Sequence, residues 1–201
     1  MLRIKNAEVF GFEAAYRGMR NPLNSWNRST PEADLALAKK LITAGTEHRK
    51  FLRMIYVTVD VTSPLYWWKE YDTYKVGTTA NSCSTMHKLT DRPFILEDFS
   101  FEDWPKEKAE RRVAELNAEL DYFCSIPYES RIEKKRAWRV LISDLPSGYM
   151  QRRTLGLNYE VLLSIHRQRK GHKLSEWHTF CDWIESLPSM SSFLEAAEGD
   201  A

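Results

Sequence analysis

Cysteine is scarce in this sequence, and the few cysteines follow no pairing or metal-binding pattern. The 201 residues contain three cysteines, Cys83, Cys124 and Cys181, which are far apart and form no Cys-x-x-Cys motif. An odd number of dispersed thiols excludes a disulfide framework and the usual structural zinc spacings, and it favours a reducing compartment. We therefore expect a cytoplasmic protein.

Long apolar runs and an excess of charge of one sign are also lacking. No stretch approaches the roughly 18 apolar residues of a membrane-spanning helix, and the first residues are not typical of a signal peptide. The 29 Lys and Arg residues nearly balance the 28 Asp and Glu residues, so the formal net charge is +1. We expect neither a membrane nor a nucleic acid as a partner.

The sequence contains no nucleotide-binding or metal-binding fingerprint of the common kinds. Neither G-x-G-x-x-G nor G-x-x-x-x-G-K-[S/T] occurs. His166, His172 and His178 recur every six residues, but six residues rotate a helix by about 240°, so these rings point in different directions. We expect no metal site.

The composition and the hydrophobic patterns predict one α+β domain over residues 1–201, with a mixed or antiparallel sheet flanked by helices. Hydrophobic residues make up 43% and charged residues 28%, as in ordinary globular proteins. A helix is expected after Thr30, where Pro31 follows a capping residue, and a β-branched run predicts a strand over 54–62 that Pro64 ends. Helices are further expected over 65–75, 107–122, 130–141, 154–169 and 174–186, a loop over 77–84, and frayed structure at the end of the chain.

One segment carries polar residues in an unusual arrangement. If residues 158–169 are helical, Asn158, Leu162, Ile165 and Arg169 lie on one stripe, which begins with an amide and ends with a guanidinium. The stripe can belong to a core helix whose ends reach solvent. It can also present Asn158 and Arg169 to a ligand, because a guanidinium fork binds planar oxygen pairs and phosphates.

The order of several short motifs resembles that of the flavin-dependent thymidylate synthases. The resemblance covers roughly residues 30–190 and is clearer in the C-terminal half. It is carried by His48-x-x-Phe51 before a strand, the segment Asn81-Ser-Cys-Ser84, the pair Leu145-Pro146, Asn158, and Arg169 eleven residues after Asn158.

The resemblance implies a thymidylate synthase-complementing-protein-like fold assembled as a homotetramer that binds FAD, dUMP and a folate. The implied activity is the reductive methylation of dUMP to dTMP with methylenetetrahydrofolate, while NADPH reduces the flavin. Two alternatives keep the same fold: an enzyme of altered chemistry such as a pyrimidine hydroxymethylase, and a non-catalytic nucleotide-binding or structural module. An unrelated α+β protein with a chance resemblance is a further alternative.

The resemblance also implies roles for individual residues. Arg169 would bind dUMP and act in catalysis by polarising the pyrimidine, and Ser84 and Arg139 would bind the same substrate. The residues that would contact FAD are His48, Tyr74, Lys75, Asn81, Asn158 and Ser164.

Several cations of the family pattern are replaced in this sequence. Tyr74 and Lys75 fall near the positions of the opening His and Arg of the central signature, and its closing Arg falls on Met86. The Arg of the family's Asn-x-Arg motif is Glu160, which reverses the charge. Candidate replacements flank Leu145-Pro146 in the sequence: Arg136, Arg139, Arg152 and Arg153.

Overall fold

The computed structural model describes residues 2–199, and its sheet has four strands. They are β1 (Arg3–Phe10), β2 (Tyr56–Pro64), β3 (Thr78–Ser82) and β4 (Met150–Asn158). The strands are antiparallel and lie in the order β1-β2-β4-β3. This arrangement, together with the helices, confirms the predicted α+β class with an antiparallel sheet.

Nine α-helices occur within residues 2–199. Short 3-10 turns accompany them, among them Lys50–Met54 ahead of β2. The α-helices are α1 (Phe12–Arg20), α2 (Pro31–Thr43), α3 (Leu65–Tyr71), α4 (Thr85–Lys88), α5 (Lys106–Ser125), α6 (Arg131–Asp144), α7 (Tyr159–Arg169), α8 (Ser175–Ser186) and α9 (Met190–Glu198).

Local sequence signals account for the start of α2. The hydroxyl of Thr30 accepts a hydrogen bond from the backbone N–H of Ala33 at 3.2 Å, and Pro31 occupies the first helical position. Glu32 and Asp34 lie in the first turn, where the helix dipole favours negative charge. The helix predicted after Thr30 is therefore confirmed with its cap.

Side-chain alternation accounts for β2. Val57, Val59 and Val61 are buried, whereas the residues between them are partly exposed, as expected for a strand with one face against the core. The strand ends at Pro64, as predicted. The predicted helices over 65–75, 107–122, 130–141 and 174–186 correspond to α3, α5, α6 and α8.

Three predictions of local structure are wrong. Residues 154–158 belong to β4 rather than to a helix, because Leu155 and Leu157 alternate into the core and α7 begins only at Tyr159. Most of the predicted loop over 77–84 is β3, a short and largely exposed strand that pairs with β4. The predicted frayed end contains α9, because Phe193 and Leu194 bury an apolar face.

The described chain divides into two compact units. Unit 1 contains residues 62–72 and 82–153, and unit 2 contains residues 2–61, 73–81 and 154–199. A single domain over residues 1–201 therefore stays a prediction.

Unit 1 has its core between α5, α6 and the irregular segment that precedes α5. Leu116 and Leu141 are buried there against Phe94 and Phe99. The side chain of Asn117 holds the irregular segment by bonding both the N–H and the carbonyl of Phe94, at 2.7 and 3.0 Å. Both backbone hydrogen-bonding groups of Phe94, which lies outside regular structure, thus have a partner.

Unit 2 has a core of aromatic side chains contributed by α7, α8 and α9. Phe193 packs edge-to-face against Phe51 and Tyr159, with ring centroids 6.2 Å apart in both pairs. Trp177 and Phe180 of α8 are completely buried. Tyr159 ties the start of α7 to this core, and Trp177 lies beside Arg169 at the end of the helix.

Candidate functional site

Arg169 and Tyr74, from two separate motifs, are in direct contact within unit 2. Arg169 is the last residue of α7, and Tyr74 lies between α3 and β3. The Nε–H of Arg169 donates a hydrogen bond to the Tyr74 hydroxyl at 2.9 Å. The predicted dUMP-binding residue and one predicted FAD-binding residue are thus neighbours.

Two aromatic rings hold the Arg169 guanidinium in place. Its central carbon lies 4.7 Å from the ring centroid of Trp177 and 5.6 Å from that of Tyr74. A cation beside the face of an aromatic ring is attracted by the ring's quadrupole, and burial of Trp177 fixes that ring. The guanidinium is therefore a preoriented planar cation, suited to polarise a carbonyl or bind an anion.

Gln168 links Tyr74 to a further predicted residue. The Tyr74 hydroxyl donates to Oε1 of Gln168 at 3.0 Å, and Nε2 of Gln168 donates to the Ser164 hydroxyl at 3.0 Å. Ser164, Gln168, Tyr74 and Arg169 thus form one hydrogen-bonded chain. We call these four residues and Trp177 the Arg169 cluster. Sequence reasoning missed Gln168, although its spacing of four residues from Ser164 puts both on one helix face.

Asn158 caps α7. Its Oδ1 accepts a hydrogen bond from the N–H of Val161 at 3.1 Å. Gly77, with φ of +73°, passes so close that an added Cβ would lie 3.0 Å from Nδ2 of Asn158. The side chain therefore has a local structural role as the N-terminal cap of α7.

Three of the predicted FAD-binding residues have accessible side chains. His48 follows α2, Lys75 follows Tyr74, and Asn81 lies on β3. All three are exposed, and their side chains make no hydrogen bond to other described residues. They are available to bind a ligand, although the structure does not bring them into the hydrogen-bonded chain of the Arg169 cluster.

The other two predicted substrate-binding residues belong to unit 1. The Ser84 hydroxyl caps α4 by accepting from the N–H of His87 at 3.3 Å. The preceding residue, Cys83, has its carbonyl bound by Nε2 of Gln151 at 2.9 Å, which fixes the backbone ahead of Ser84. Arg139 is exposed on α6 and forms no ion pair with the described residues.

Arg153, one of the candidate replacement cations, is already engaged within unit 1. It forms an ion pair with Asp72 at 2.7 Å and a hydrogen bond with Oε1 of Gln151 at 3.0 Å. Its guanidinium also lies 4.3 Å from the ring centroid of Trp68. These contacts give Arg153 a structural role.

The reversed charge at Glu160 has a partner in unit 2 that the sequence did not reveal. Glu160 lies in the first turn of α7 and accepts hydrogen bonds from the guanidinium of Arg49, the residue after His48. The partner is 111 residues away in the sequence. No local pattern could have identified this pair.

Membrane and metal sites were also predicted to be absent. Among residues 2–199, no helix combines the length and the apolar character needed to cross a membrane. In the same part of the chain, no three His, Cys, Asp or Glu side chains are grouped to hold a metal ion.

Comparison with known proteins gives structural matches only. No protein-family model matches this chain, and no curated sequence is significantly similar to it. A structure of thymidylate synthase X (ThyX) from Helicobacter pylori with FAD and dUMP is similar with a TM-score of 0.77 at 14% identity, covering 98% of this chain and 100% of that one. A second structure, flavin-dependent thymidylate synthase ThyX from Helicobacter pylori complexed with FAD and dUMP, has a TM-score of 0.73 at 15% identity, with 96% of each chain covered. The chain therefore has the fold of the flavin-dependent thymidylate synthases.

Proposed function

We propose that this protein is a flavin-dependent thymidylate synthase that converts dUMP to dTMP. The one-carbon unit of methylenetetrahydrofolate is joined to C5 of the uracil, whose C5 proton leaves. Both C–N bonds that hold this carbon to the folate break, and the two folate nitrogens take up protons. Two electrons and a proton equivalent that originate in NADPH reduce this unit to a methyl group. The products are dTMP, tetrahydrofolate and NADP⁺.

The contact between Arg169 and Tyr74 carries this proposal. The two residues come from motifs that were assigned to dUMP and FAD separately, and an N–H···O bond of 2.9 Å joins them. The full-length similarity to ThyX structures with FAD and dUMP supports the same assignment.

The residues present in unit 2 fit a flavin nucleotide. His48, Lys75 and Asn81 offer a ring nitrogen, an ammonium and an amide that bond no other described side chain. These groups suit the phosphate, ribose and carbonyl oxygens of FAD. We assign FAD binding to them, with Tyr74, Asn158 and Ser164 supporting the site.

Arg169 performs the polarising role in this mechanism. FAD, when bound, supplies the redox chemistry, so no protein nucleophile is required. The permanent charge of Arg169 binds dUMP and stabilises negative charge on the uracil oxygens as C5 becomes nucleophilic. The rings of Trp177 and Tyr74 keep the guanidinium oriented, so little reorganisation is needed during the reaction.

The remaining assignments rest on the resemblance. Ser84 and Arg139 bind the nucleotide, and the working assembly is a cytoplasmic homotetramer of single-domain chains. Nucleic acids and membranes have no part in the reaction.

Flavin retention followed by product analysis tests the proposal. The purified protein is mixed with FAD and passed through a gel-filtration column, and its visible spectrum is recorded with and without dUMP. We expect shifted flavin bands that coelute with the protein, and dTMP when methylenetetrahydrofolate and NADPH are added. A hydroxymethylated product would indicate the altered chemistry, and flavin binding without product would indicate a non-catalytic module.

Substitution of Arg169 tests the site assignment. Loss of a charge-assisted contact of about 1.5–3 kcal/mol predicts that Arg169→Ala weakens dUMP binding by about 10- to 100-fold. Arg167→Ala is the matched control, since Arg167 is an exposed cation on the same helix. Equal dUMP affinity of Arg169→Ala and the parent protein would show that the assignment is wrong.

A further inference from the structure

The guanidinium of Arg49 is buried but uses only one of its edges within the chain. Its side chain is 8% exposed. Nε donates to Oε2 of Glu160 at 3.0 Å, and Nη2 donates to Oε1 at 2.9 Å. The second edge, formed by Nη1 and the other N–H of Nη2, makes no hydrogen bond with residues 2–199.

The unused edge is not completely enclosed, although the side chain as a whole is only 8% exposed. Nη1 is not among the fully buried side-chain nitrogen and oxygen atoms of the described chain that lack a partner, so solvent reaches it. A guanidinium can bind a carboxylate along one edge and two oxygens of a phosphate along the next. Glu160 thus fixes the guanidinium of Arg49 along one edge, and the N–H groups of the second edge can donate to a ligand.

Arg49 also joins the two segments that carry predicted flavin-binding residues. It directly follows His48, and its partner Glu160 lies two residues after Asn158. The N–H of Tyr159 donates to the carbonyl of Ile55 at 3.0 Å, a second link between the same segments. Arg49 is therefore next to His48 in the sequence and is bound to the first turn of α7 in the fold.

The charge at Glu160 explains why a cation is needed here. An acidic residue stands where the family pattern has the Arg of Asn-x-Arg, and an unpaired carboxylate would repel a phosphate. The ion pair neutralises Glu160 and leaves guanidinium N–H groups as donors. Arg49 thus supplies a positive group directly beside position 160.

We propose that Arg49 binds a phosphate group of the flavin cofactor through its second edge, with Glu160 as the positioning residue. This inference rests on the proposed function, because it takes FAD as the ligand. In this proposal Arg49 makes the contact with the phosphate that Glu160, being negatively charged, could not make.

Flavins with and without phosphate separate this role from a purely structural one. Dissociation constants for FAD and riboflavin are measured by flavin fluorescence for the parent, Arg49→Met and Arg49→Lys. We expect Arg49→Met to weaken FAD binding by about 10- to 100-fold, as for loss of a charge-assisted hydrogen bond, and to leave riboflavin binding within about 2-fold. Arg49→Lys keeps the positive charge but lacks the paired N–H donors of a guanidinium. Its FAD affinity should therefore lie between those of the parent and Arg49→Met.

Arg20→Met is the matched control. Arg20 forms the other buried ion pair of unit 2, with Asp34 at 2.6 Å, so its loss causes comparable damage without removing a proposed phosphate contact. We expect its FAD affinity to equal that of the parent. Thermal melting of each variant shows whether it is folded. If Arg49→Met does not fold, the comparison of FAD with riboflavin is made with Arg49→Lys instead.

The outcomes distinguish this inference from the proposed function. Unchanged FAD binding by Arg49→Met, or an equal loss for FAD and riboflavin, would overturn the phosphate assignment alone. If FAD and riboflavin bind as expected but no dTMP forms, the phosphate contact of Arg49 would be supported and the proposed reaction would be rejected. A parent protein that binds no FAD would overturn both.

Discussion

The Nε–H of Arg169 bonds the hydroxyl of Tyr74 across 95 residues of sequence, at 2.9 Å. This bond joins the end of α7 to the segment that precedes β3. Because Tyr74 also donates to Gln168, its hydroxyl acts as acceptor and donor at once. The Tyr74 hydroxyl therefore helps to orient the Arg169 guanidinium, together with the rings of Tyr74 and Trp177.

Removal of that oxygen should weaken nucleotide binding and preserve the fold. In Tyr74→Phe the ring remains against Trp177, but the hydroxyl loses its bonds to both Arg169 and Gln168. The bond that orients Arg169 is worth about 0.5–1.5 kcal/mol. We expect the dissociation constant for dUMP to rise about 2- to 10-fold in isothermal titration. Tyr122→Phe, which loses a hydroxyl bond to Glu133 in unit 1, is the control and should bind dUMP normally. Parent-like affinity of Tyr74→Phe would mean that Arg169 needs no such support.

Elements with strong local signals were predicted correctly from the sequence. The predictions failed where pairing between strands distant in the sequence determines the structure. The cap at Thr30 and the valines of β2 are local signals, and both elements formed as expected. Residues 154–158 were predicted as part of a helix because the pattern of α7 was extended backwards. Gly156 shows the missing information: a Cβ there would lie 2.2 Å from the Tyr56 hydroxyl, a contact that exists only once β2 and β4 pair.

The same distinction applies to the candidate site. The order and spacing of motifs singled out Arg169 and Tyr74 as candidates, and the structure shows that these two residues are in contact. The ion pair between Arg49 and Glu160 was not predicted, because the two residues are 111 positions apart and long-range ion pairs leave no local pattern. The accessible side chains of His48, Lys75 and Asn81 form no hydrogen bond with residues 2–199, so nothing in the structure tests their role and it stays a prediction.

The buried ion pair between Arg20 and Asp34 should contribute strongly to stability. Asp34 accepts from Nε of Arg20 at 2.6 Å and from the Ser29 hydroxyl at 2.6 Å, and both charged side chains are almost fully buried. Asp34→Ala leaves the guanidinium uncompensated, so we expect a loss of about 3–5 kcal/mol in the free energy of unfolding measured with urea. Glu195→Ala, which breaks an exposed pair with Lys39, should cost less than about 1 kcal/mol. Similar losses in the two variants would contradict this account.

The three thiols should differ sharply in reactivity. Cys83 and Cys124 are exposed, whereas Cys181 is buried on α8, and burial raises the pKa of its thiol to about 11. Only the thiolate reacts with a disulfide reagent, so Cys181 is both inaccessible and protonated at pH 8. We expect two thiols to react rapidly with Ellman's reagent and the third only after denaturant is added. Rapid reaction of all three in the native protein would show that α8 opens readily.

Glu119 of α5 should make unit 1 less stable as the pH rises. Burial raises the pKa of Glu119 above its ordinary value of 4.5, and the neighbouring carboxylate of Asp144 raises it further, although Arg112 opposes the shift. The folded state therefore binds this proton more tightly than the unfolded state. The resulting contribution to the free energy of unfolding is fully present below pH 4.5, falls as the pH rises from 4.5 through the raised pKa, and is lost above it.

Replacement of the carboxylate by a neutral amide should remove this dependence. We expect Glu119→Gln to be more stable than the parent at pH 8 and to approach it near pH 5, as measured by urea unfolding at both values. Glu110→Gln, at an exposed position on the same helix, is the control and should show no such gain at pH 8. If Glu119→Gln is instead less stable at pH 8, the ionised carboxylate stabilises the fold through Arg112, and the pKa of Glu119 is not raised.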